Sequence, residues 1–170
     1  EKIDIIIKKM TKQIQDAILP DKEVKYRLFP DAFVFFQPRD VVSGDFYWFA
    51  EKSGKKIIAA VDCTGHGVPG AFMSMIGIDQ LNHIIIEKGI TTPSEILNEL
   101  NKEIKIALKQ TTETRAKDGM DIAIGVLDEK KMILEFAGAH RHLYFIRNGE
   151  LTEYKADKMA IGGFTKDDFV

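Results

Sequence analysis

A single cysteine, Cys63, in 170 residues excludes an intrachain disulfide and any zinc site built from several thiolates, and it fits a reducing compartment such as the cytosol. An excess of one charge is also missing. Lys and Arg number 24 against 26 Asp and Glu, a formal charge of −2, so the chain has no general attraction for phosphate backbones and no nucleic-acid partner is expected. Apolar runs are short and interrupted by polar groups, as at Ile84-Ile85-Ile86, well below the roughly 20 residues a membrane-spanning helix needs. Repeats and low-complexity segments are absent. The chain opens on Glu1 without the basic, apolar and small-residue zones of a signal peptide, which leads us to expect a piece of a longer polypeptide. What is present, 45% hydrophobic and 29% charged residues, suits one domain with one core.

Ile3, Ile7, Met10, Ile14 and Ala17 are spaced at heptad period and predict a helix that Pro20 ends. Residues 1–19 are therefore either an amphipathic helix packed on its own domain or a coiled-coil-like linker to something upstream, with the main domain at 20–170. Strands are expected at Phe33–Gln37, Asp45–Ala50 and Lys56–Asp62, the last two joined by a hairpin loop over Glu51–Lys55. A glycine-rich loop leads into an apolar helix, Ala71–Ile86, stopped by Gly89. Thr92, Pro93 and Glu95 mark the start of a second helix, with Thr92 as cap and Ile96, Leu97, Leu100, Ile104 and Leu108 on one face. After a polar loop at Gln110–Asp118 come strands at Met120–Leu127, Met132–Ala137, Leu143–Arg147 and Leu151–Tyr154, with Asn148-Gly149 as a hairpin turn. Hairpins around two central helices give an α+β architecture with antiparallel sheets.

Asp45 begins one strand of the first hairpin and Asp62 ends the other, so pairing brings both acids to one edge of the sheet. Two converging carboxylates with no basic residue nearby in sequence repel each other unless a cation lies between them, which points to a divalent metal with oxygen ligands, Mg²⁺ or Mn²⁺ rather than zinc. The alternative is that both acids only bond local backbone N–H groups. Gly65-His66-Gly67-Val68-Pro69-Gly70 also fits the dinucleotide fingerprint, with Glu87 downstream. That reading is disfavoured, because the strand before it belongs to a hairpin and no alternating strand and helix units follow.

Taken together, Pro38-Arg39-Asp40-Val41-Val42-Ser43-Gly44-Asp45-Phe46-Tyr47-Trp48 and Asp62-Cys63-Thr64-Gly65-His66-Gly67-Val68-Pro69-Gly70-Ala71-Phe72-Met73-Ser74 resemble the stage II sporulation protein E type of serine phosphatase. This type belongs to the metal-dependent PPM, or type 2C, phosphatases. The likeness continues through Gly119-Met120-Asp121-Ile122-Ala123 and Ala137-Gly138-Ala139-His140 to Lys158-Met159-Ala160-Ile161-Gly162. It implies a sandwich of two antiparallel β-sheets flanked by helices, with two Mn²⁺ or Mg²⁺ ions at one edge. Asp45 matches a metal-ligating acid, Asp62 the acid that bridges the metals, and Cys63 a ligand through its main-chain carbonyl.

The resemblance further implies hydrolysis of phosphoserine or phosphothreonine on a signalling protein such as an anti-sigma-factor antagonist. An upstream sensor would act through the first helix, which is also a candidate dimer contact. His66 is the candidate proton donor to the leaving oxygen, although the type 2C histidine stands at a different spacing, and a loop-structuring role is the alternative. Arg39 is the candidate contact for substrate phosphate, a solvated turn arginine being the bland reading. Arg141-His142 departs from the Asn-Pro common in relatives. Two further metal-ligating acids of the family, expected beyond Gly163, find no counterpart before Val170, and Asp167-Asp168 lacks their context. A C-terminally incomplete phosphatase domain is therefore expected, cytoplasmic or the cytosolic part of a larger or membrane-attached sensor. A regulatory module that keeps the fold without turnover is the alternative from another class.

Overall fold

A computed structural model describes residues 2–20, 22–111, 118–163 and 168–170. Most of the expected polar loop at Gln110–Asp118, and Asp167, lie outside them. Alternation in β2 (Lys55–Cys63) sets the frame. Ile57, Ala59, Val61 and Cys63 are buried, while Ile58, Ala60 and Asp62 point to the opposite face. β1 (Phe46–Lys52) pairs with β2, and β2 with β3 (Gly119–Asp128), whose Met120, Ile122, Ile124 and Val126 continue the buried face. β4 (Ile133–Ala139) and the short β7 (Ile161–Gly162) share the far side of β3, giving a five-stranded antiparallel sheet. β5 (Leu143–Arg147) and β6 (Glu150–Tyr154) form a second, two-stranded antiparallel sheet.

The two-residue turns of the β1–β2 and β5–β6 hairpins use the same backbone device. Asn148 and Gly149 have φ of 52° and 81°, and Ser53 and Gly54 have 54° and 72°, the left-handed pair that matches the twist of two strands joined by two residues. The first hairpin is thus tighter than the expected Glu51–Lys55 loop, with Lys52 already paired to Lys55.

The buried face is covered by α3 (Gly67–Leu81) and α4 (Pro93–Ala107). Ile78, Leu81, Ile96, Leu97, Leu100 and Ile104 meet Ile57, Ile122 and Ile124 in one core. α3 continues as a π-helical turn, Asn82–Glu87, which seats Ile84 and Ile85 in that core. Pro93 opens α4 as expected, but the Thr92 hydroxyl makes no capping bond; its carbonyl accepts the Ile96 N–H at 2.9 Å instead.

Two expectations near the N-terminus are corrected. Phe33–Gln37 belongs to no described strand; Phe33 is 88% exposed, and Phe36 packs edge-on against Tyr47 with ring centroids 5.5 Å apart. Aromatic and β-branched residues favour extended backbone there, but no described strand offers them a ladder. A seven-residue helix, α2 (Lys22–Leu28), stands where none was foreseen, too short to show a period, and it is fixed by buried Leu28 and by Lys25 donating to the Ala32 carbonyl at 2.6 Å.

α1 (Lys2–Ile18) faces the domain with its polar side. Ile3, Ile7, Met10 and Ile14 are exposed, whereas Thr11 and Gln15 are buried. Gln15 Nε2 donates to the Ser43 carbonyl at 2.6 Å and the Ser74 hydroxyl at 2.8 Å, and its Oε1 accepts the Ser43 N–H at 3.0 Å. Gln15→Leu would leave the Ser43 backbone unpaired in a buried place, so we expect a loss of about 2–4 kcal/mol in urea unfolding. Ile5→Ala, at an exposed position outside the heptad seam, should change stability by no more than about 0.5 kcal/mol in the same measurement.

Candidate active site

Asp62 and Asp121 are direct cross-strand partners, and their odd-even position puts both carboxylates on the face of the sheet away from α3 and α4. Phe46 pairs with Val61, so Asp45, one residue earlier, comes opposite Asp62, and their side chains touch. The three acids thus gather at one end of β1, β2 and β3, as the sequence predicted for two of them.

Glycines allow this approach. A Cβ on Gly44 would lie 2.8 Å from the Gly65 carbonyl oxygen and 3.2 Å from that of Cys63, and one on Gly70 would lie 3.1 Å from the Gly44 Cα. The turn before β1 and the loop after β2 therefore pack backbone to backbone, which aims the Cys63 carbonyl at the turn carrying Asp45. Ser43 steadies that turn, its hydroxyl accepting the Asp45 N–H at 3.0 Å.

The electrostatics are strained at this point. Partial burial raises the Asp45 pKa, the hydrogen bond and charge of Asp62 raise it further, and Arg141 draws it back. The Arg141 guanidinium pairs with Asp62 and lies 3.4 Å from Asp121 Oδ2, while His140 Nδ1 lies 2.9 Å from Asp121 Oδ1. Burial, then the charges of Asp45 and Asp62, push the Cys63 thiol far up, and its side chain is buried on the helix-covered face of β2, opposite to Asp62. A cleft of about 490 Å³ opens over Asp45, Asp62 and Arg141, walled by Phe35, Phe36 and Tyr47. A second hollow of about 300 Å³ lies between Asp62, Cys63, Asp121 and Gly162.

Residues 52–170 match the family model of stage II sporulation protein E, SpoIIE. The chain belongs to the SpoIIE family. The solved SiaA-PP2C domain of Pseudomonas aeruginosa is similar over 99% of this chain, with 34% identity and a TM-score of 0.81. The chain spans 65% of the length of that structure. No curated protein sequence matches. The fold is accordingly a PP2C-like phosphatase domain, its helices laid on antiparallel sheets.

In this SpoIIE domain the other expected residues, His66 and Arg39, make no hydrogen bond or ion pair with these acids. His66 sits just before α3, 69% exposed at its side chain, with Nδ1 3.3 Å from Asp40 Oδ2. Arg39 is exposed and makes no ion pair among the described residues. Asp121, His140 and Arg141 join the site without having been singled out as functional. Asp121 could have been found by extending the antiparallel register from Asp62; Arg141 arrives through a turn whose geometry has no local sequence signal.

Asp45 holds its proton more readily folded than unfolded. Its contribution therefore favours folding below the ordinary carboxylate value of 3.8 and is lost as pH rises through the raised folded value. In EDTA at pH 7, Asp45→Asn should raise the Tm by about 1–2 °C, a gain that shrinks as the pH falls toward 4 in a calorimetric series.

Proposed function

We propose that this chain is the catalytic domain of a metal-dependent protein phosphatase that hydrolyses phosphoserine or phosphothreonine on a signalling protein, with two Mn²⁺ or Mg²⁺ ions as cofactor. The convergence of Asp45 and Asp62 at a sheet edge, in a SpoIIE-family fold, carries this reading. Two like charges held together cost stability and are explained by a cation that uses both.

The donor chemistry fits the ions. Asp45, Asp62 and the Cys63 carbonyl are all oxygen donors, as hard divalent cations prefer, and are the groups that would hold them. Among the described residues no three metal-ligating side chains close on one point, so water and main-chain oxygens would complete the coordination. These donors would hold the ions, whose chemistry when bound would be to acidify a water for attack on phosphorus and to offset charge on the phosphoryl oxygens. The protein's part is to hold its carboxylates in place, and the β1–β2–β3 register does so. To His66, held by Asp40, we assign proton transfer to the leaving serine oxygen, and to Arg39, one residue from Asp40, contact with the substrate phosphoryl group.

The partner side of the reading rests on α1 and on the family. An anti-sigma-factor antagonist or similar small phosphoprotein is the proposed substrate, and a sensor upstream the proposed input. The exposed seam of Ile3, Ile7, Met10 and Ile14 is apolar and in heptad register, as a second copy of the helix would require. No described helix is long and apolar enough to cross a membrane. A cytoplasmic setting, alone or as part of a larger sensor, is proposed from the lone cysteine.

A chain extended past Val170, to supply the further acids the family resemblance calls for, should hydrolyse a phosphoserine peptide with Mn²⁺, measured as released phosphate, and Asp62→Asn should reduce this to background. His66→Gln should slow the phosphoserine peptide more than p-nitrophenyl phosphate, whose leaving group needs no proton. No turnover with any divalent ion would favour the non-catalytic scaffold instead. Sedimentation should show concentration-dependent association that disappears in the Ile7→Glu, Ile14→Glu double variant; a strict monomer in both would refute the helix contact.

A further inference from the structure

We propose that Arg141 is a built-in counter-ion of the acid cluster, holding its carboxylates together in the metal-free protein and surrendering them to a divalent cation. This rests on the metal-dependent reading above but concerns a residue that reading does not use. Three observations carry it.

Arg141 engages the acids as a cation would. Its guanidinium pairs with Asp62 and reaches Asp121 Oδ2 at 3.4 Å, while His140 takes the other oxygen of Asp121 at 2.9 Å. The cleft it lines is shared with Asp45 and Asp62, which brings its charge to the third acid.

The backbone delivers it there by a fixed turn. A Cβ on Gly138 would collide with the Arg141 carbonyl oxygen. His140 takes the left-handed φ of 57°, its N–H donates to the Asp157 carbonyl at 2.9 Å, and the Arg141 N–H donates to the Ala139 carbonyl at 2.8 Å. A left-handed non-glycine residue held by neighbouring hydrogen bonds is a cost that the local fold must sustain.

The side chain itself is free to leave. It is 48% exposed, on a long flexible stem, and lines the open cleft rather than the core. One positive charge shared by Asp45, Asp62 and Asp121 leaves the cluster net negative, whereas two divalent ions carry more than the charge of all three carboxylates. Metal binding is then an exchange of cations, and its apparent strength is set partly by Arg141.

The test is calorimetric titration of MnCl₂ into the full chain and its Arg141→Gln and Arg141→Lys variants, with thermal melting of each in EDTA. Arg141→Gln should bind Mn²⁺ about fivefold more tightly than the wild type and melt at a lower temperature in EDTA. Arg141→Lys, which keeps the charge without the planar fork, should lie between them. Equal or weaker Mn²⁺ binding by a variant with wild-type circular dichroism would overturn the counter-ion role alone. Should the glutamine variant fail to fold, the lysine variant decides by the same criterion. Mn²⁺ binding by none of the three would overturn both this role and the metal-dependent reading.

Discussion

The antiparallel register of β1, β2 and β3 is the constraint from which the site follows. Its two-residue period turns Ile57, Ala59, Val61 and Cys63 toward the helices, so Asp62 must face the other way. The same register sets Asp121 against Asp62 and brings Asp45 beside it. A slip of one residue would bury the acids and expose the isoleucines, at a cost of many apolar side chains. The core therefore specifies the acid cluster from the opposite face of the sheet.

A second layer of order connects the far end of α1 to this cluster. Gln15 binds both backbone groups of Ser43, and the Ser43 hydroxyl accepts the Asp45 N–H. Gly44, between them, lies against the loop after β2 because it has no side chain. The turn bearing Asp45 is thus clamped from two sides, by a polar helix contact and by a backbone contact. An amide makes a directional clamp where an apolar contact would slide, which accounts for a buried glutamine on a helix otherwise rich in isoleucine.

Much of this was legible in the sequence. The Asn148-Gly149 turn, the Pro93 helix start, the apolar face of α4 and the convergence of Asp45 with Asp62 all follow from local chemistry and period. What escaped was non-local or ambiguous. Phe33–Gln37 has strand composition, yet a strand exists only where a partner supplies its hydrogen bonds. The heptad seam of α1 signals an apolar stripe without saying which side faces the domain, and here Thr11 and Gln15 do. Asp121 and Arg141 reach Asp62 across 59 and 79 residues of chain, through a sheet register and a turn after β4 that no short motif encodes.

The acid cluster is also a place where local electrostatic preference disagrees with the fold. Elsewhere charges sit at the surface in opposed pairs, such as Lys56 with Glu129 and Lys88 with Glu99 and Glu103. At the end of β2 three carboxylates share one guanidinium and one imidazole, and one carboxyl is driven toward its neutral form. A sequence shaped for stability alone would place an amide or a hydroxyl at one of these positions, since the flanking core of Ile57, Ile122 and Ile124 holds the strands without them. That the conflict stays confined to a solvent-facing end of the sheet, against a cleft, is what separates a site poised to take up cations from a defect in packing.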